Sequence, residues 1–192
     1  MKTIVFVSTL FFAAQANAES HCYIGNQSSG ELNFRSAVEG SGFSGGFGEF
    51  QVRYCMPQNQ PDGGEIVVEV AMASADTDNR DRDEALLGPE FFDVEQFPTS
   101  SWTSEAISIQ GDRFSADGRL NLRGIEASVP VQFQIDNAAG DTLTVRGQFQ
   151  MTGQAEINRQ DFSVGTGEFA DPEFVRNRVD VNFSIELSLA KE

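Results

Sequence analysis

The sequence lacks a long apolar run beyond its first residues. The run at residues 4–14 covers about 11 residues, whereas a helix that crosses a bilayer needs roughly 20. We therefore expect no stable membrane insertion. The run follows Lys2 and precedes Ala16-Asn17-Ala18, a small-x-small pattern that is typical of a secretory signal peptide. This pattern predicts a signal peptide at residues 1–18, cleavage after Ala18, one domain at residues 19–192, and a periplasmic or secreted location.

Histidine and lysine are nearly absent. Behind the predicted cleavage site the chain keeps one histidine, His21, and one lysine, Lys191, each close to a terminus. A catalytic triad needs a base held in a formed site, and zinc or copper needs clustered His or Cys ligands. The many acidic residues show no spacing that singles out a general acid and base. The sequence thus predicts a protein that is not an enzyme, with no metal site and no cofactor.

Positive charge is scarce as well. The 13 Lys and Arg residues face 29 Asp and Glu residues, for a net charge of −16, and removal of Lys2 makes the mature charge −17. A charge of this sign repels nucleic-acid phosphates and anionic membrane surfaces. We therefore expect no nucleic-acid partner and interpret the charge as an aid to solubility.

Only two cysteines are present, Cys22 and Cys55, and they do not form a Cys-x-x-Cys pair. An even cysteine count in an exported chain predicts a disulfide. This bridge would close a loop of roughly 34 residues and contribute about 3 to 4 kcal/mol in the chain-entropy model. The residues just before Cys22 are not the small ones that lipoprotein processing requires, so we expect no lipid anchor.

Helical periodicity is rare, and alternation of apolar and polar residues replaces it. Between Val179 and Leu189 every second residue is apolar, which predicts a strand with one wet face. Similar alternation makes about eight strands, at residues 32–34, 50–54, 66–72, 107–109, 120–122, 129–135 and 143–151. Short turn signals favour an up-and-down antiparallel order, at residues 61–64, 110–112 and 139–141. Periodicity alone leaves a sandwich and a closed barrel open.

Two regions interrupt the alternation. Residues 79–87 predict a short capped helix with an acidic first turn, placed at one end of a barrel. Residues 162–178 predict a long loop that contains Phe169 and Phe174 and acts as a lid.

Two apparent ligand motifs fail on their context. The Gly-x-Gly-x-x-Gly pattern at residues 40–45 precedes a strand, whereas a pyrophosphate-binding loop precedes a helix. The acidic run at residues 76–84 has Asp81 where a calcium loop requires glycine, so we interpret it as a solvated helix start.

Phenylalanine, by contrast, is abundant. Fourteen Phe residues follow the predicted cleavage site, and Trp102 joins them. They could fill a core or line the wall of a cavity for a long apolar chain, and composition does not decide between these. A buried CH₂ contributes about 0.8 kcal/mol and association costs about 4 to 15 kcal/mol, so a ligand without polar anchors needs several isoprene-sized units.

Three patches occur in order along the chain. The first contains Ala73-Ser74-Ala75-Asp76-Thr77, Phe91-Phe92-Asp93 and Phe97-Pro98-Thr99; the second is residues 118–125; the third is Ile157-Asn158-Arg159-Gln160-Asp161-Phe162. Together they resemble the YceI-like polyisoprenoid-binding family over nearly the whole mature chain. The resemblance implies an all-β fold, a single up-and-down antiparallel eight-stranded lipocalin-like β-barrel with a short helix. It also implies that the interior holds a long-chain isoprenoid, such as an isoprenoid quinone, or a fatty lipid.

The resemblance and the alternation together predict an apolar wall that contacts this ligand: Phe34, Phe47, Phe50, Val68, Val70, Met72, Phe92, Phe97, Trp102, Leu120, Leu122, Phe133, Phe149, Met151, Phe162 and Phe183. Family polar positions fall on Asp76, Arg80 or Arg82, Asn158, Arg159 and Asp161. We interpret these as structural, with Arg159 and a nearby acid forming a clamp at one barrel end.

The chain departs from the family pattern at residues 23–32, at Val38-Glu39 in place of a basic pair, and at Ser163 in place of glycine. The first two departures leave the identity of the ligand open. A non-enzymatic stress or structural protein, with a barrel filled by its own side chains, is the alternative. A homodimer is also left open.

Overall fold

The computed structural model describes residues 20–57, 60–136 and 147–191. The predicted signal peptide, the turn predicted at residues 139–141, and the alternating Leu143 and Val145 lie outside these ranges. The described strands are β1 (Ser20–Asn26), β2 (Gly30–Val38), β3 (Ser41–Phe47), β4 (Phe50–Pro57), β5 (Glu65–Ala71), β6 (Ala75–Asp76), β7 (Thr99–Gln110), β8 (Arg113–Leu122), β9 (Ile125–Ser128), β10 (Val131–Ile135), β11 (Gln148–Asn158) and β12 (Arg178–Leu189). The helix is α1 (Arg80–Leu87), and 3-10 turns occur at Pro61–Gly63, Met72–Ser74, Arg159–Phe162 and Gly167–Ala170.

These segments combine into eight long strands, because four of the eight are interrupted. β1 and β2 both pair with β12, while β4 and β3 pair with β1 and β2 as one broken hairpin. β5 pairs with β4 and β6 pairs with β3, so β5 and β6 together form the third long strand. β9 and β10 both pair with β8 and likewise form one interrupted strand. Pro130 separates β9 from β10, since proline has no N–H to donate to the ladder.

The barrel is closed and antiparallel. Each long strand pairs with the one before it in the chain, and β1 pairs with β12 to complete the ring. Closure leaves no continuous unpaired edge and places one face of every strand inside. The structure therefore confirms the predicted eight-stranded up-and-down barrel.

Glycines inside the barrel make room for large rings. A Cβ on Gly118 would overlap the ring of Trp102, and one on Gly153 would overlap the ring of Phe183. Both glycines lie at inward-facing positions of β8 and β11. The two rings therefore pack against bare backbone, which lets a narrow barrel hold them.

The helix α1 begins as predicted. Asn79 precedes it and accepts a hydrogen bond from the Arg82 backbone N–H at 3.0 Å, and Asp81 and Asp83 occupy the first turn. Leu86 is the buried residue of the helix and faces the barrel interior. None of the helices in the described ranges is long and apolar enough to cross a bilayer.

The predicted disulfide is present. Cys22 in β1 and Cys55 in β4 lie directly opposite each other in the ladder, and their sulfur atoms are bonded. The bridge therefore joins the N-terminal strand to its neighbour at one end of the barrel.

Candidate ligand-binding cavity

The barrel is filled at one end and hollow at the other. In the end that contains β1, the inward side chains are buried against one another and do not line the cavity, among them Tyr23, Tyr54, Met56, Phe114, Phe149 and Leu187. We call this the closed half. Toward α1 the interior opens into a cavity of about 220 Å³. We call this the hollow half, which is lined among others by Val68, Val70, Val179 and Val181.

Strand β12 runs through both halves, and the exposure of its inward side chains differs between them. Its inward residues Ile185 and Leu187 are 1% and 0% exposed, whereas Val179 and Val181 are only partly buried. Val179 and Val181 point inward by alternation, so their exposed surface faces the cavity. From Val179 to Ile185 the lining covers about 20 Å of strand. The cavity is therefore an elongated apolar space, larger than the roughly 150 Å³ engineered cavity that takes up benzene.

Most of the predicted wall residues border the cavity. Thirteen of the sixteen do so: Phe34, Phe47, Phe50, Val68, Val70, Met72, Phe92, Trp102, Leu120, Leu122, Phe133, Met151 and Phe183. Their contact with a ligand remains a prediction.

The other three predicted wall residues do not border the cavity. Phe149 lies in the closed half, where its ring centroid is 5.1 Å from that of Tyr23 and 6.4 Å from that of Tyr54. Phe162 is buried in the 3-10 turn Arg159–Phe162, and Phe97 lies against Gly124 in the turn between β8 and β9. Alternation shows which side of a strand a residue faces but not its height along the barrel, which explains the error for Phe149.

Several lining residues were missed by the sequence analysis. Alternation marks some of them as inward, including Val129, Val131, Val179, Val181 and Ile185. Leu86, Phe91, Val164 and Val175 come from the helix and the loops. Residues in a short helix or a loop follow no strand periodicity, so their position at the cavity is seen only in the folded structure.

Two polar side chains of the lining, Trp102 and Ser100, are hydrogen-bonded to the protein. The indole N–H of Trp102 donates to the Val129 carbonyl at 2.9 Å, and the Ser100 hydroxyl donates to the Asn121 carbonyl at 2.8 Å. A buried polar group without a partner would be costly. Because these groups are satisfied, the wall that they help to form is chemically apolar.

Arg159 corrects the clamp that we inferred from the sequence. Its side chain is 3% exposed, and among the described residues its guanidinium donates to five backbone carbonyls and to no carboxylate. The acceptors, at 2.7 to 3.2 Å, are the carbonyls of Val164, Gly165, Phe169, Val175 and Arg176. Burial lowers the pKa of Arg159 below its usual value.

The Arg159 contacts fasten one loop over the hollow half. All five acceptors belong to the segment 163–176, so this segment wraps around a single cation. Ser163 starts the loop with φ +54, a left-handed conformation that favours glycine, which is the family residue at this position. We call residues 163–176 the lid loop.

The lid loop is also joined to the turn that follows α1. The Glu90 carbonyl accepts hydrogen bonds from the Gly165 N–H at 2.7 Å and the Thr166 N–H at 2.9 Å. Arg123, in the turn between β8 and β9, donates to the carbonyls of Ser163 and Pro89. Three separate loops are thus connected across the end of the hollow half.

The remaining polar family positions have local structural roles. Arg82, rather than Arg80, is built into the barrel end: it donates to the Thr77 hydroxyl at 2.8 Å and lies 4.6 Å from the centre of the Phe43 ring. Arg80 pairs with Glu84 on the surface. Asn158 donates to Asp161 at 3.0 Å, and Asp76 accepts from the Asp78 N–H at 2.8 Å.

In the described part of the chain, no group of three or more His, Cys, Asp or Glu residues is arranged to hold a metal ion. The buried titratable groups other than Arg159 are Tyr23 and Tyr54, and burial raises the pKa of each. Both belong to the closed half, away from the cavity.

Comparison with known proteins agrees with this geometry. A model of the YceI-like domain matches residues 23–187. The chain belongs to the YceI-like family. Protein YceI of Salmonella agona (strain SL483) is 26% identical over 165 residues, which cover 84% of each chain. Protein YceI of Salmonella arizonae is 27% identical over 139 residues, which cover 70% of this chain and 71% of that protein.

Solved structures share the fold of this YceI-like chain. BcnA of Burkholderia cenocepacia superposes with a TM-score of 0.75 at 21% identity, covering 84% of this chain and 98% of BcnA. A polyisoprenoid binding domain from Saccharophagus degradans, implicated in plant cell wall breakdown, superposes with a TM-score of 0.65 at 13% identity, covering 88% and 98%.

Proposed function

We propose that this YceI-like protein sequesters or carries a long-chain isoprenoid, such as an isoprenoid quinone, or a similar amphiphilic lipid outside the cytoplasm. The observation that carries the proposal is the hollow half, where valine and phenylalanine side chains enclose about 220 Å³ while the rest of the interior is filled. A barrel filled by its own side chains would not leave this space.

The energetics favour a long tail. A five-carbon isoprene unit contributes roughly 3 to 4 kcal/mol when buried, and association costs about 4 to 15 kcal/mol. The wall offers few polar anchors, since the Trp102 and Ser100 donors are already used. A ligand therefore needs several such units inside the barrel to bind well. The polyisoprenoid binding domain of Saccharophagus degradans, which has the same fold, is in keeping with this ligand class.

Two features of the chain support the proposed location. Residues 1–18 have the pattern of a secretory signal, and the Cys22–Cys55 disulfide suits an oxidising compartment such as the periplasm. N-terminal sequencing of the protein recovered from a periplasmic extract tests this part of the proposal, and the expected first residue is Glu19.

The mechanism that we propose is passive and non-catalytic. Burial of the tail supplies the affinity, and opening of the lid loop governs uptake and release. The closed half holds the barrel together meanwhile, so the lid loop can move without loss of the fold.

The test is to purify the protein in its native state, extract it with organic solvent and identify the lipids by mass spectrometry. A lipid with a long apolar tail, at a stoichiometry near one, is the expected result. Absence of any lipid, together with no uptake of added prenyl lipid, would rule out the proposal and favour the self-filled barrel.

A pair of adjacent variants sharpens this test. Val68 lines the cavity, whereas Val67, its neighbour in β5, does not. Val68→Trp fills the space and should abolish lipid co-purification, because overpacking leaves no room for the tail. Val67→Trp adds the same bulk outside and should leave the lipid bound. Equal lipid content in the two variants would contradict the proposed site.

A further inference from the structure

The polar groups at the hollow end decide what kind of head group the cavity can accept. Arg159 is the charged side chain of the described lining, and Ser36 is a hydroxyl close to it. Burial of an apolar tail does not distinguish one head group from another. Selectivity for the head group therefore has to come from polar and charged groups at the hollow end. This inference rests on the proposed function, because it concerns the head of the lipid that the cavity would hold.

Arg159 does not offer a site for an anion. An Arg guanidinium has five N–H donors. In this chain each of its three nitrogen atoms already donates to backbone carbonyls, with five bonds in all. A phosphate or carboxylate head at this point would have to displace the carbonyls that hold the lid loop. The Ser36 hydroxyl, which also lines the cavity, makes long contacts of 3.4 and 3.5 Å, to the carbonyls of Arg178 and Arg176.

The segments around the hollow end are acidic. Residues 80–97 and 161–176 carry ten carboxylates, all at least partly exposed: Asp81, Asp83, Glu84, Glu90, Asp93, Glu95, Asp161, Glu168, Asp171 and Glu173. Five arginines lie in or contact the same segments, and each of them already has a partner: Arg80, Arg82, Arg123, Arg159 and Arg176. Within the described ranges, Glu95, Glu168 and Glu173 form no ion pair.

A head group at this end therefore meets hydrogen-bond acceptors and negative charge, while the arginines in or contacting these two segments are already engaged. We propose that the cavity selects amphiphiles by the charge of their head group: it accepts heads that are uncharged or cationic, and it rejects anionic heads. The selection acts through repulsion by the acidic segments, so it weakens as salt screens the charges.

The test uses three ligands that share a geranylgeranyl tail and end in a hydroxyl, an ammonium or a monophosphate. Their dissociation constants are measured on lipid-free protein, by displacement of a fluorescent apolar probe, at low and at high salt. We expect the phosphate to bind roughly tenfold more weakly than the alcohol at low salt, with a smaller gap at high salt. The amine should bind at least as tightly as the alcohol.

Each outcome has a separate meaning. A phosphate that binds as tightly as the alcohol at low salt overturns this inference and leaves the proposed function intact. Failure of all three ligands to bind, the alcohol included, instead contradicts the proposed function itself.

Two charge-reversal variants place the effect at the hollow end. The first combines Glu95→Lys, Glu168→Lys and Glu173→Lys, and the second combines Glu65→Lys, Asp112→Lys and Asp136→Lys, which lie toward the closed half. Both change the net charge by the same amount. The first should remove or invert the preference against the phosphate, and the second should preserve most of it. Equal changes in both variants would mean that net charge, rather than the acidic segments, sets the preference.

Discussion

The closed half and the hollow half of this barrel are built on the same strands with the same alternation, yet one is solid and the other is not. In the closed half the rings of Tyr23 and Tyr54 both pack against that of Phe149. In the hollow half rings are present as well, such as those of Phe34 and Phe183, but there they line an open space together with valines of β5 and β12. The comparison teaches that strand number and alternation, which are the same in both halves, do not decide whether this barrel encloses space.

The two halves also use polar groups differently. In the closed half the Tyr54 hydroxyl donates to the Pro61 carbonyl at 2.6 Å, and the disulfide joins β1 to β4. In the hollow half the main polar element is Arg159, which fastens a loop rather than a strand. Cross-links between strands hold the barrel wall together, whereas the Arg159 contacts hold a loop over one end of the interior.

The largest predicted difference between the halves concerns core truncation on β12. Leu187→Ala should lower the free energy of unfolding by about 3 kcal/mol, because it opens a void in a filled core. Val181→Ala, on the same face of the same strand, should cost about 1 kcal/mol, since it enlarges a space that is already there. Urea unfolding of lipid-free protein measures both. Equal losses would mean that the hollow half closes up in solution.

A smaller effect concerns pH and belongs to the closed half. Burial raises the pKa of Tyr54 above its ordinary value near 10. The folded state therefore keeps a proton that the unfolded state loses. Stability from this group is complete below about pH 10 and falls as the pH rises from there toward the folded pKa, by at most about 1.4 kcal/mol per pH unit.

Tyr54→Phe tests this linkage. It should cost about 1 to 2 kcal/mol at pH 8, because the Pro61 carbonyl loses its partner, and it should flatten the decline in stability between pH 9.5 and 11. Tyr23→Phe changes the other tyrosine of the chain and keeps the Tyr54 contribution. An unchanged slope in Tyr54→Phe would show that Tyr54 ionises as freely in the folded protein as in the unfolded one.

The strands, the helix and the disulfide could be predicted because their signals are local, whereas closure into a barrel was implied by the family resemblance. Alternation identifies strands and their inward faces, Asn79 with its acidic neighbours identifies the start of α1, and the even cysteine count behind a signal-like N-terminus predicts the disulfide. The family follows from three ordered patches and is confirmed by the match over residues 23–187. Each of these inferences needs only neighbouring residues or a simple count.

The boundary between the halves could not be predicted, because it depends on height along the barrel. Phe149 and Phe133 both alternate, yet only Phe133 borders the cavity. The role of Arg159 could not be predicted either. Its five acceptors are backbone carbonyls, which every residue has, so the sequence does not show which residues accept these hydrogen bonds. Val164 and Val175 reach the cavity from a loop without periodicity. These features arise from long-range packing.

The smallest predicted effect loosens the lid loop alone. Arg123 and Gly124 form the turn between β8 and β9 with φ of +55 and +72, a conformation that an Asn-Gly pair adopts readily. Arg123→Asn should therefore preserve the turn while it removes the donor to the Ser163 and Pro89 carbonyls. Because the lost contacts are partly exposed, we expect a change of about 1 kcal/mol or less.

That change should appear only locally. Hydrogen exchange at the amides of Gly165 and Thr166, which donate to the Glu90 carbonyl, should become about threefold to fivefold faster, since about 1 kcal/mol or less is lost from the closed state of the lid loop. The exchange of β1 and β4 should not change. Arg119→Asn serves as the control. It removes an arginine that lies within β8 and pairs with Glu126, so it should leave the lid loop unaffected. If Arg123→Asn slows lipid release or leaves the exchange of these amides unaltered, the lid loop is not what separates the hollow half from solvent, and access must lie between the strands instead.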